Sequence, residues 1–281
     1  MSNDIILSLK DQVALLGGVD EDTLAVAGGV SGGIVRLSLE GNMFRKKRGG
    51  KELAVNEERS MNIIFVKMAH TPNRVYYPGV YKKGVNTPAL CWSTDSKVPD
   101  ADVKTPQASS CDACPFSVKG SGQGGTGTAC KLSWRTAVVL PQDPSGDVMQ
   151  LTLSSISSFG KEDGGKWPFR PYVQMLANNN ISAGKVVTKM QFDPKSSVSK
   201  VLFSPVAPVT AETYEIVKQQ GKTSTAEQAV KLTVYKGEDA APAATEETVE
   251  VAAPVVRETA KKVEAAPAGD MADVVKKWTK K

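Results

Sequence analysis

The amino-acid sequence predicts a mainly β protein with few short helices. Three observations point there. The 281 residues include 24 glycines and 16 prolines, a turn-rich composition that suits short strands better than a helical bundle. Apolar residues gather in short runs between turn signals rather than in long helical periods. Hydrophobic residues make up 41% of the chain against 23% charged, enough for one medium-sized core.

Composition also excludes. With one histidine in the chain, a Ser-His-Asp triad or a multi-histidine metal centre lacks its parts, and no enzyme is expected. No apolar run reaches the roughly 18 residues of a membrane span, so no membrane partner is expected. The chain opens Met1-Ser2-Asn3-Asp4, with an acid where an export signal has Lys or Arg, and a cytoplasmic location follows as an expectation. The formal charge is +5 but uneven: residues 237–281 hold nine acids and seven bases, the remainder 28 bases and 21 acids. A mild basic excess suits a polyanion partner.

The elements follow in order. Residues 1–33 read as an N-terminal arm, with Ile5, Ile6, Leu9, Val13 and Leu16 at helical spacing and a glycine-rich hinge at 28–33. The body runs over 34–236. It opens with a strand at 34–39, then a hairpin whose tip contains Gly49-Gly50. Strands are expected at 61–68, 75–77, 134–140 and 148–155. A short helix is expected at 171–179, then strands at 185–192 and 199–204. Thr210 is placed to cap a second helix over 210–220. Residues 228–235 fit a last strand or a continuation of that helix. Residues 237–269 shrink to Ala, Glu, Pro, Thr and Val, the composition of a disordered acidic linker. Met271, Val274, Val275 and Trp278 then fall at helical spacing within 270–281, as in a short amphipathic docking motif or a frayed tail.

Four cysteines stand at Cys91, Cys111, Cys114 and Cys130, inside a lobe at about 85–133. The Cys111–Cys114 pair can grip an ion from one tight turn, and two further thiolates complete a four-coordinate structural site. Zinc is the first candidate; the Cys114-Pro115 step also fits an iron–sulfur ligand run. Free thiols, disulfides, or His70 in place of one cysteine are the other readings. The aspartates nearby (Asp95, Asp100, Asp102, Asp112) lie in turn-like sequence where Asp is expected.

Cations and aromatics interleave, as a single-strand groove requires: charge follows the phosphates, and each base stacked on a ring gains about 1–3 kcal/mol. Residues 36–51 hold Arg36, Arg45, Lys46, Lys47, Arg48 and Lys51 against Glu40, with Phe44 among them. Lys67, Arg74, Tyr76, Tyr77, Trp134 and Arg135 extend the set. The bland alternative is that strand aromatics are core and basic hairpin tips are merely solvated. The expected order, strands, one helix, then two further strands, is that of a five-stranded OB-like Greek-key barrel, with the cysteine lobe as an insertion.

Three stretches support a resemblance. They are Arg36-Leu37-Ser38-Leu39-Glu40-Gly41-Asn42-Met43-Phe44-Arg45; residues 61–77, ending Asn73-Arg74-Val75-Tyr76-Tyr77; and the cysteine pattern with Cys111-Asp112-Ala113-Cys114-Pro115, Gly120-Ser121 and Ala129-Cys130-Lys131. Together with Phe192-Asp193-Pro194 and Leu202-Phe203 they resemble a bacteriophage protein family, in places assigned as single-stranded DNA-binding, over about residues 34–206. The resemblance implies an OB-type fold with a zinc site, coating of single-stranded DNA in replication or recombination, and a place in the host cytoplasm during infection. Self-association on DNA and contacts to replication proteins through the C-terminal motif are further expectations. This chain departs from such proteins in ending on Lys276-Lys277-Trp278-Thr279-Lys280-Lys281 rather than an acidic tip. The competing expectation is an adaptor or inhibitor of a host or phage replication or transcription enzyme.

Overall fold

The computed structural model of the chain describes residues 33–79, 87–125 and 127–236. The helix expected in the N-terminal arm, the linker expected at 237–269 and the motif expected at 270–281 fall outside them. In chain order the elements are β1 (Arg36–Ser38), β2 (Phe44–Arg48), β3 (Lys51–Asn56), β4 (Ser60–Met68), β5 (Asn73–Tyr76), β6 (Cys91–Ser93), β7 (Cys130–Val139), β8 (Met149–Ser154), α1 (Ser155–Ser158), α2 (Phe169–Asn178), β9 (Val186–Phe192), β10 (Val201–Pro208), α3 (Ala211–Gln220) and α4 (Ser224–Val230).

Local chemistry accounts for most of them. Gly49 and Gly50 take positive φ values of 56° and 83°, the backbone that a two-residue hairpin turn demands, and so join β2 to β3. In β9, Val186, Thr188, Met190 and Phe192 are buried while the residues between them are half-buried, the period of two of a strand with one face in the core. In α2, Phe169, Tyr172 and Leu176 are buried at helical spacing. The Thr210 hydroxyl accepts the Thr213 N–H and starts α3; Thr223 does the same for Ala226 and α4.

The strands form one sheet in the order β10-β9-β4-β7-β8-β1-β2-β3, with β5 added to β7 and β6 to β5. Only β1 and β8 run parallel among the described pairs. The sheet curls into a half-barrel. Phe44 of β2 stacks on Phe192 of β9 with ring centroids 4.6 Å apart, although four strands lie between them in the sheet order. Along β10, Phe203 exchanges two backbone hydrogen bonds with Trp167, 2.9 and 2.8 Å, which covers part of that edge.

The concave side is filled by Phe65, Phe169, Tyr172, Phe192 and Phe203, with α2 as the plug. Burying each such side chain contributes about 1.5–3 kcal/mol. On the convex side, α3 and α4 set Val217, Ala226 and Ala229 against Ile64, Ala137 and Val139. A third, smaller cluster joins Val75, Ala89, Trp92 and Val103 to Leu232 and Val234. Residues 228–235 thus split: α4 ends at Val230, and the rest runs extended across the lobe, where Tyr235 accepts the Ala89 N–H at 3.0 Å.

Candidate metal centre and nucleic-acid interface

β5 organises the cysteines. Tyr76 is the cross-strand partner of Cys91 on β6 and of Cys130 on β7, so those two cysteines flank it on one side of the sheet. The loop after β6 brings the other pair: the Cys111 N–H donates to the Lys97 carbonyl at 2.8 Å, and Cys114 begins the turn closed by the Ser117 N–H at 2.9 Å. All four cysteines are reduced and buried, and they line one pocket together with Arg74, Ser93 and Ser117. His70 is exposed and does not line it.

Among the described residues, no three Cys, His, Asp or Glu side chains are drawn into an arrangement that holds a metal ion. What exists is a convergence of four thiols. Burial pushes the Cys130 thiol up to about 11 and raises Cys111, while the Arg74 guanidinium pulls both down. Arg74 Nε and Ser117 Oγ are buried without a hydrogen-bond partner. Each such donor costs about 1–3 kcal/mol. The nearby aspartates serve the loop: Asp95 accepts the Lys97 N–H, Asp100 the Thr94 N–H, and Asp102 the Trp92 indole N–H.

The residues expected to touch nucleic acid divide sharply. The hairpin cations are already paired: Arg45 with Glu52, Lys46 and Arg48 with Asp147, Lys47 with Glu40. Only Lys51, exposed at the turn, keeps clear of ion pairs among the described residues. Phe44, expected to stack on bases, is 1% exposed and belongs to the core. Its place on β2 points it inward, and Arg45, the next residue, turns to the opposite face. Tyr76 stacks on Phe116 at 4.3 Å and faces the cysteines rather than solvent. Trp134 packs on Phe159 and Phe169 and donates its indole N–H to the Ala69 carbonyl. Lys67 is held by the Gly221 carbonyl and Glu227. Arg135 donates to the carbonyls of Lys231 and Thr233, and burial lowers its pKa. Arg74 belongs to the cysteine pocket.

Three expected residues, Arg36, Tyr77 and Arg135, come together on one outer face. Register sets Arg36 beside Gln150, and Arg135 beside Thr152, so β1, β8 and β7 turn these side chains to the same side. Arg36 and Thr152 are exposed there. Val75 is opposite Lys131, and by alternation Tyr77 shares their side, where it is 43% exposed. Arg36 and Tyr77 both lie close enough to act on the Arg135 charge. Lys131 and Thr152 were missed in the sequence, where nothing distinguishes a lysine after a cysteine or a threonine inside a strand. The proposed docking residues Met271, Val274, Val275 and Trp278 lie outside the described residues.

Comparison with protein families, curated proteins and solved structures finds no match for this chain. The resemblance to phage proteins rests on the quoted residues alone.

Proposed function

We propose that this chain is a single-stranded DNA-binding protein of the OB type, not an enzyme, which coats unwound phage DNA during replication or recombination in the host cytoplasm. The observation that carries the reading is the strand order. Strands β4, β7 and β8 form a meander, α2 follows, β9 returns to pair with β4, and β10 pairs with β9. That succession fits the order of an OB Greek key, whose second and third strands with the adjacent loops bind oligonucleotides. Here those strands are β7 and β8, and their outer face holds Arg36, Lys131, Thr152 and Tyr77. The cysteine lobe occupies the first of the binding loops.

Phosphates would be held by Arg36 and Lys131, with Arg135 adding positive potential from beneath, and Tyr77 would offer one face to a base. The four cysteines would hold one zinc ion or, second, an iron–sulfur cluster. A bound ion would supply cross-links between β6, β7 and the loop, not reactivity, because four protein ligands leave no open position. The orphaned donors in the pocket and its all-thiol donor set fit such a group.

The test is a titration of labelled oligothymidine and of a duplex at several salt concentrations, with elemental analysis of the same protein. Preferred binding to the single strand, weakening steeply with salt, supports the reading; salt-independent binding sinks it. One observation favours the adaptor alternative. The hairpin's cations are neutralised, and its outer strand exposes Leu53 and Val55, as a protein-binding edge would. Capture of a replication enzyme after nuclease treatment, with no shift of single strands, would replace the first reading with that one.

A further inference from the structure

Three buried side-chain atoms lack a hydrogen-bond partner among the described residues, and two of them, Arg74 Nε and Ser117 Oγ, belong to residues lining the pocket of the four cysteines. Both are donors: a guanidinium nitrogen has no acceptor capacity, and a hydroxyl donates freely. They come from different elements. Arg74 lies on β5 two residues before Tyr76, so its side chain leaves the sheet on the side that Cys91 and Cys130 share. Ser117 ends the turn that begins at Cys114. No carboxylate lines the pocket, and Arg74 is its one charged lining residue among those described. The pocket lining offers acceptors in the four sulfurs and in the oxygens of Tyr76, Ser93, Gln107 and Ser110, and none of these receives a hydrogen bond from Arg74 Nε or Ser117 Oγ; the sulfurs are the acceptors that metal binding would strengthen. A neutral thiol accepts weakly, whereas a metal-bound thiolate accepts strongly and is commonly held by such outer contacts.

We infer that Arg74 and Ser117 are the outer-sphere donors of a four-thiolate metal site, each hydrogen-bonding a cysteine sulfur once the ion is bound. This rests on the metal reading of the lobe and assigns Arg74 to the ion rather than to phosphate. Charge gives the reason for an arginine here. Binding releases the thiol protons to solvent, and four thiolates around a divalent ion carry a net charge of about −2. An enclosed anion needs a nearby cation, and Arg74 is the one placed to supply it. Arg74 and Ser117 are positioning residues: they hold and shield the ligands without touching the ion.

The experiment uses the full-length, reduced, metal-stripped protein, titrated with Co2+ and then displaced by Zn2+. Wild type should take up about one equivalent with the absorption of a tetrahedral tetrathiolate site. Arg74→Met and Ser117→Ala should keep that stoichiometry and tetrahedral spectrum but bind Zn2+ about 10–100-fold more weakly, with a shifted sulfur-to-cobalt charge-transfer band. Arg74→Lys should restore part of the affinity. If both variants bind as tightly as wild type with an unmoved band, the inference is wrong while the metal reading stands. Should Arg74→Met fail to fold by circular dichroism, Ser117→Ala decides alone, because its side chain makes no contact that the fold needs. A folded wild type that takes up neither ion overturns the metal reading itself, and the inference with it.

Discussion

The half-barrel and the cysteine lobe are held together by different means. The barrel buries a continuous aromatic core in which Phe169 alone meets Phe65, Trp134 and Phe203. The lobe has a handful of apolar side chains, two short strands, a long irregular loop, and buried donors without acceptors. A region that buries little apolar surface cannot offset its ordering entropy in the way the barrel does. The difference teaches where apolar packing carries the fold and where it does not: the barrel has a continuous core, and the lobe keeps buried donors that none of its residues satisfies.

The comparison can be broken first at the barrel. Phe169→Ala should cost about 3–5 kcal/mol, read as a lowered midpoint in urea denaturation. A loss no larger than that of a surface substitution would deny the barrel its apolar footing. Next comes the lobe. Cys114→Ser should abolish metal uptake and open residues 97–130 to limited proteolysis, while the barrel's midpoint moves little. A barrel that unfolds together with the cut lobe would merge the two regions into one cooperative unit.

Nucleic-acid binding sharpens the boundary between them, since Arg36 belongs to the barrel and Tyr77 to the lobe's flank. Tyr77→Ala should cost about 1–3 kcal/mol of binding to oligothymidine, and Arg36→Ala should reduce the salt slope by about one ion. If only one of the two matters, the strand is held by that region alone.

The smallest effect concerns acid. The hydrogen bond from Lys200 holds the buried Asp193 carboxyl below the usual carboxylate range, and Lys236 does the same for Asp102, which is half exposed. A depressed carboxylate stabilises the fold above its unfolded pKa of about 3.9 and stops doing so as pH falls through the folded value. Acid unfolding below that point should therefore lose part of its pH dependence in Asp193→Asn and less in Asp102→Asn. Equal effects would mean that burial of the pair makes no difference.

Much of the barrel was legible in the sequence because its strands obey local rules. Gly49-Gly50 announced a hairpin, the run at 185–192 before Asp193-Pro194 announced β9, and Thr210 announced the start of α3. The site was less legible because it depends on partners distant in sequence. Asp147, which neutralises Arg48, lies 99 residues away and nothing near the hairpin hints at it. Tyr76 and Tyr77 are indistinguishable as neighbours in a list of residues, yet a strand turns one to the cysteines and the other to solvent. Phe44 and Trp134 were misjudged for the same reason: composition marks an aromatic among cations, while the pleat decides which way it faces. The four cysteines, close in sequence, line one pocket, and nothing in their spacing hinted that Arg74 would line it with them.

The extended residues 231–236 have a consequence for biosynthesis. Leu232 and Val234 complete the cluster around Trp92, and Tyr235 accepts the Ala89 N–H, so the lobe's cover emerges about a hundred residues after the lobe itself. At a ribosomal pace of about 5–20 residues per second, that gap lasts on the order of ten seconds. Throughout it, one side of β5 and β6 stays without its covering segment. The lobe is thus translated midway through the body and is among the last parts to be sealed.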